Sequence, residues 1–148
     1  MTDTYDIPGM PNLRHPETGY ASGGQPDPDQ LQAAADAGIG CVINLRPPSE
    51  EHGYDEAAKA AELGLAYHVL GIAGPQDLTL DNARKLDTLL DEHAAMPTLV
   101  HCASGNRVGA LMALRAAWVQ GKSKEEALAI GRRWGLTKAE AAIDKLLS

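Results

Sequence analysis

Phenylalanine is absent from this chain, and all aromatic residues together make up only 4% of its 148 residues. A core without many aromatic rings is built from Leu, Ala, Val and Ile, and the 44% hydrophobic fraction suffices for one. Cysteine is scarce too: Cys41 and Cys102 are too few for a disulfide scaffold, and unpaired thiols fit a reducing cytoplasm, which is the expected location. There is no Cys-x-x-Cys pair, and His15, His52, His68 and His93 show no metal-ligand spacing, so neither metal nor cofactor is expected. No apolar run approaches the ~20 residues that span a bilayer. The stretch from Met1 to Arg14 is polar and proline-broken, without the pattern of a secretory leader. Basic charge is also in deficit. A net charge of −7 and a pI of about 5.1 argue against nucleic acid or an anionic membrane as partner. Any anion site must therefore be local, made by a loop and an arginine rather than by a basic surface. Internal repeats and low-complexity segments are missing as well.

The length predicts one domain. Residues 1–17, with Pro8, Pro11 and Pro16, read as an irregular N-terminal arm, and residues 18–148 as a single α/β domain. Tyr20 to Ser22 suits a short edge strand closed by Gly23 and Gly24. Asp27 as N-cap, Pro28 in the first turn and Gln30 reaching back start a helix that Gly38 ends. The near-continuous apolar run from Cys41 to Leu45 predicts a strand buried on both faces, as in a parallel sheet. Ser49 to Leu63 reads as a helix stopped by Gly64, Ala66 to Leu70 as a strand, Gly71 to Leu78 as a loop, and Thr79 to His93 as a helix. Ser123 with Glu126 and Thr137 with Glu140 have capping-box spacing, predicting helices from Lys124 to Trp134 and from Lys138 to Leu147. The alternation predicts three layers: a mostly parallel central sheet of about four to five strands flanked by helices. Ligand binds outside the carboxyl ends of the strands in such folds.

One run organises the rest. Thr98 to Val100 has the pattern of a short strand, and Arg107 to Gln120 that of a helix stopped by Gly121. The tight loop between them runs from Cys102 through Ala103, Ser104, Gly105 and Asn106 to Arg107. A strand, a tight loop and a helix N-terminus form an anion cradle: loop amides converge, and the helix dipole adds partial positive charge. Gly105 permits a backbone conformation that a β-carbon resists. Cys102 stands at the mouth, where a thiolate is stabilised and nucleophilic. Arg107 supplies a planar fork for two oxygens of a tetrahedral anion.

His101 and Cys102 followed by a glycine-bearing loop and Arg107 resemble the signature of the cysteine-dependent protein tyrosine and dual-specificity phosphatases. Those enzymes usually place five residues between Cys and Arg; here there are four. The shorter spacing is similar to that of rhodanese sulfurtransferases, which carry persulfide sulfur on the cysteine. Gly24-Gln25-Pro26, Val42-Ile43-Asn44-Leu45-Arg46 and the His101–Arg107 run together resemble a bacterial phosphatase-like family, also found fused to β-lactamase-like hydrolases. The resemblance spans roughly residues 18–115. It implies a dual-specificity-phosphatase-like fold with three helices after the cysteine loop, no cofactor, and a phosphorylated protein or small molecule as partner.

For a phosphatase, the resemblance implies an acid on the loop before the cysteine strand. Asp77 is best placed by chain order, and Asp81 is second but falls in a first helical turn, where Asp often serves only the dipole. His101, on the face opposite Cys102, is expected to support the loop. Ser104 and Asn106 are candidates to orient the loop or touch ligand. Val108 stands where many tyrosine phosphatases carry a Ser or Thr that helps break the phosphocysteine. Arg46 either adds a cation at the rim or pairs with Glu50 or Glu51. Cys41 reads as a buried structural cysteine or, less simply, a resolving thiol. Trp118 and Trp134 read as packing. The expected activity is hydrolysis of phosphotyrosine or small aryl phosphates through phosphocysteine. The alternatives are sulfur transfer on the same cysteine and a noncatalytic phosphate- or sulfate-binding module.

Overall fold

In the computed structural model the described residues are 5–50 and 53–148. Four parallel strands, β1 (Tyr20–Gly23), β2 (Cys41–Asn44), β3 (Ala66–Val69) and β4 (Thr98–His101), form one sheet in the order β1-β4-β2-β3. The cysteine strand β4 is central. Its last residue, His101, pairs with Gly23 on one side and Asn44 on the other. Gln25, Arg46 and Cys102, each just beyond a strand end, are thus delivered to one edge of the sheet.

Among the described residues, six α-helices complete the layers: α1 (Pro28–Asp36), α2 (Glu56–Glu62), α3 (Leu80–Glu92), α4 (Asn106–Leu114), α5 (Lys124–Trp134) and α6 (Glu140–Leu146). Side chains alternate across each strand, so the sheet feeds two cores. Val42 and Leu99 pack with Leu31, Ala34 and Ala60 of α1 and α2. Ile43, Val100 and Cys102 face the other way, into a larger core with α3 to α6. Helix α4 is buried at every position from Val108 to Leu114, as befits a central helix enclosed by its neighbours. It anchors the loop ahead of it.

The irregular arm is not loose where it is described. Tyr5, Ile7 and Met10 are buried in the smaller core, and Arg14 bridges Ser22 of β1. Among the described residues, no helix is long and apolar enough to cross a membrane.

Several local expectations are corrected. The helix expected from Ser49 begins at Glu56, because Gly53 takes a left-handed φ of 80° and Asp55 caps the Ala58 amide. Glu51 and His52, within that expected helix, lie outside the described residues, as does the start of the arm. The Thr137 box does not form: the Thr137 amide and hydroxyl both donate to Asn106 Oδ1, and α6 starts at Glu140, later than Lys138. Trp134 is buried against Tyr20, with ring centroids 5.3 Å apart. Trp118 is instead 37% exposed, because α4 continues from Arg115 to Val119 as a wider π turn that shifts the helical phase.

Candidate active site

The loop after β4 is fastened by its carbonyls. Ala103 O accepts from the Gln25 amide at 3.2 Å, Ser104 O from Asn12 Nδ2 at 2.8 Å, and Gly105 O from the Gly109 amide at 3.2 Å. Among the described residues, the amides of Ala103, Ser104, Asn106 and Arg107 meet no protein acceptor. The Gly105 amide donates to Cys102 Sγ at 3.0 Å. Gly105 has a φ of 96°, the left-handed conformation its position demands. The β1 end lies so close that a β-carbon on Gly24 would stand 2.5 Å from Ala103 O.

Cys102 is fully buried on the floor of this loop. Arg107 leaves the first turn of α4, and its guanidinium meets Glu50 at two points: Nη1 to Oε2 at 2.8 Å and Nη2 to Oε1 at 3.0 Å. Nη1 also donates to Ile72 O at 2.7 Å. The charges reinforce one another: Arg107 and Arg46 draw the Glu50 carboxyl down to about 2, while Glu50 and the Cys102 sulfur raise Arg107 further.

Arg46 pairs with Glu50 at 3.0 Å and donates to Gln25 Oε1 at 2.8 Å. Gln25 Nε2 in turn reaches Glu56 Oε1, and Glu56 Oε2 lies 2.6 Å from His101 Nε2. His101 Nδ1 lies 3.2 Å from Cys102 O. A carbonyl only accepts, so Nδ1 carries hydrogen, and one proton is held between Nε2 and Glu56. His101, Glu56, Gln25, Arg46, Glu50 and Arg107 thus form one polar chain around the loop. Tyr67 borders it, and burial pushes its phenol up to about 12.

Asp77 ends the short turn Pro75–Asp77, five residues beyond Ile72, and its side chain is not among the partners of Arg107. Its Oδ2 accepts from the Ala73 amide at 2.9 Å. Asp81 lies on the solvent side of α3, 3.2 Å from Lys85 Nζ. Asn106 turns its side chain away from the loop, accepting from the Thr137 and Ala139 amides. Ser104 is exposed on the loop, and Val108 is buried in the core.

Sequence reasoning missed Glu56, Asn12 and the role of Glu50 toward Arg107. Gln25 lay within a segment already singled out, but its partners are long-range. Chain spacing also hid a second grouping: Cys41, His68 and His93 bring their ligand-type atoms within 4.8 Å of one another.

A parallel α/β domain that delivers a cysteine from its central strand into a loop closed by an arginine has the architecture of the cysteine-dependent phosphatases. The chain belongs to the phosphatase-like domain family of β-lactamase hydrolase-like proteins: residues 12–119 match that family. A β-lactamase hydrolase-like protein of Xylella fastidiosa (strain Temecula1) is 33% identical over 126 residues, covering 82% of this chain. The chain spans 28% of that relative's length.

A DUF442 protein from Shewanella putrefaciens CN-32 has a similar structure, with a TM-score of 0.73, 22% identity, and coverage of 96% of this chain and 94% of that one. The active form of Tk-PTP gives a TM-score of 0.73 at 20% identity, covering 93% and 96%. The core catalytic domain of the S. cerevisiae PP-IP phosphatase SIW14 gives 0.67 at 15% identity, covering 97% and 89%. At these identities the likeness establishes the fold.

Proposed function

We propose that this protein is a cysteine-dependent phosphatase acting on phosphotyrosine or small aryl phosphate esters. The reading rests on one observation: the loop around Cys102 Sγ spends its carbonyls on outside partners and keeps four amides for a ligand, next to a guanidinium held by Glu50. That arrangement suits a group whose negative charge is spread over several oxygens. Sγ attacks phosphorus as the ester P–O bond breaks, and the leaving aryloxide takes a proton from Asp77. Water then attacks the phosphocysteine, giving a proton back to the Asp77 carboxylate as the P–S bond breaks, so that phosphate leaves and the Cys102 thiolate is restored. Arg107 and the loop amides hold the equatorial oxygens in both steps. His101 and Arg46 support the loop through the polar chain. No step uses a metal. Full burial of Cys102 favours small or slender substrates.

The loop length favours a second reading. Four residues rather than five separate Cys102 from Arg107, and Val108 supplies no hydroxyl to the hydrolytic step. In sulfur transfer the Cys102 thiolate bonds the outer sulfur of thiosulfate, the S–S bond breaks, and sulfite leaves. The persulfide then passes its terminal sulfur to cyanide or a thiol. Paired assays separate the two, with hydrolysis of p-nitrophenyl phosphate set against thiocyanate formation from thiosulfate and cyanide. Cys102→Ser is the control for each. Robust thiocyanate production with background phosphatase activity overturns the first reading. Sulfate binding that persists in Cys102→Ser, with no turnover of either substrate by the unaltered protein, identifies a binding module instead.

A further inference from the structure

Cys41 opens β2, His68 lies on β3, and His93 closes α3. The register pairs Cys41 with Ala66 and Ile43 with His68, so Cys41 and His68 share the sheet face that α3 covers. The end of α3 then brings His93 onto them. The two Nε2 atoms lie 3.1 Å apart, and His93 Nδ1 lies 2.8 Å from Leu89 O. Because that carbonyl only accepts, His93 Nδ1 carries the hydrogen and Nε2 presents its lone pair toward His68. Such a bond from the second ring nitrogen is what fixes the tautomer of metal-binding histidines.

We propose that Cys41, His68 and His93 form a transition-metal site of the zinc class, with three protein ligands and a fourth position open to water. Two imidazole nitrogens on a tetrahedral zinc ion, each at about 2.0 Å, stand roughly 3.3 Å apart. The observed 3.1 Å needs almost no adjustment. A sulfur and a nitrogen on the same ion stand roughly 3.6 Å apart. The three ligand atoms, all within 4.8 Å of one another, therefore need only side-chain rotation to close on an ion. One soft sulfur and two imidazoles select zinc, copper or cobalt over magnesium or calcium, which take oxygen ligands.

Cys41 is fully buried, while His68 and His93 are part-exposed, so an ion has an entry path. Burial and the neighbouring His93 keep His68 below its ordinary value, the direction that favours the neutral imidazole of a metal ligand. Burial raises the Cys41 thiol, so binding releases its proton.

The site is separate from the proposed catalytic one. Cys41 pairs with Thr98 at the start of β4, and Cys102 follows that strand's other end. Four strand residues at about 3.3 Å each put roughly 13 Å between them. A bound ion clamps the last turn of α3 to β2 and β3.

The test is a titration of the full, metal-free protein with Co²⁺, read by absorbance. One equivalent is expected to produce an intense thiolate-to-cobalt charge-transfer band that Zn²⁺ then abolishes. Cys102→Ser keeps the band, Cys41→Ser loses it, and His93→Gln weakens Co²⁺ binding by about 10-fold or more. His93→Gln alters a half-exposed helix end and decides the matter if Cys41→Ser fails to fold. No band in the unaltered protein, a band lost in Cys102→Ser, or unchanged binding in His93→Gln overturns the proposal. In those cases the two histidines are joined by a hydrogen bond alone.

Discussion

Arg107 and Glu50, 57 residues apart in the chain, meet in a two-point ion pair at 2.8 and 3.0 Å. Arginine's planar fork makes this geometry specific in a way a lysine does not reproduce. In the proposed phosphatase, the pair fixes the cation before substrate arrives, which removes the need to order a long side chain at the reacting centre.

Glu50→Gln breaks that pair while keeping the shape. Misplacing the guanidinium is expected to lower kcat/KM for aryl phosphate by about 10- to 100-fold, measured by steady-state kinetics. The pair also makes stability depend on pH. Glu50 titrates near 2 when folded, below its ordinary 4.5, so its contribution is complete above about 4.5 and is lost as pH falls toward 2. Urea unfolding of the unaltered protein and of Glu50→Gln should therefore differ at pH 6, with the gap narrowing between pH 4.5 and 2.

Glu56 and His101 are almost completely buried and joined at 2.6 Å. Removing one member of a buried, hydrogen-bonded pair of this kind leaves the other without compensation. Glu56→Ala is expected to destabilise the protein by about 3 kcal/mol, read as a lower urea midpoint with an unchanged slope. Loss of activity should accompany it even where the variant remains folded, because His101 also holds the Cys102 carbonyl.

Gly24→Ala drives a β-carbon to within 2.5 Å of Ala103 O, a backbone atom that cannot rotate away as a flexible side chain would. One partner must shift, and the Gln25 amide bond to Ala103 O goes with it. Protection of Cys102 from alkylation by phosphate should weaken in Gly24→Ala, while the far-UV circular dichroism stays that of the unaltered protein.

The chain betrays its local features and hides its long-range ones. The Asp27 and Gln30 box forms with both reciprocal hydrogen bonds, and the parallel sheet follows from the apolar run at Cys41 to Leu45. The cysteine loop could be placed because strand, glycine and arginine lie within a few residues of one another. Spacing failed where another part of the chain outbid a local partner. Thr137 has the right neighbour in Glu140, but Asn106 takes its donors and Arg132 takes Glu140. Ser49 begins a helical composition, yet Asp55 is the residue whose side chain caps the helix that forms. Spacing offers Glu50 only as a partner for Arg46 and Glu56 only as a position in the expected helix; tertiary contacts with Arg107 and His101 give them their further roles. Trp118 escaped because a π turn has no distinctive composition.

The most direct test of the account is a stopped-flow burst of p-nitrophenol from p-nitrophenyl phosphate, with peptide mass analysis of the quenched protein. A burst near one equivalent, a phosphoryl group on the Cys102 peptide, and a loss of turnover on the order of 10³-fold or more in Cys102→Ser are the predicted results. Undiminished turnover in Cys102→Ser, or a steady rate with no modified Cys102, contradicts it.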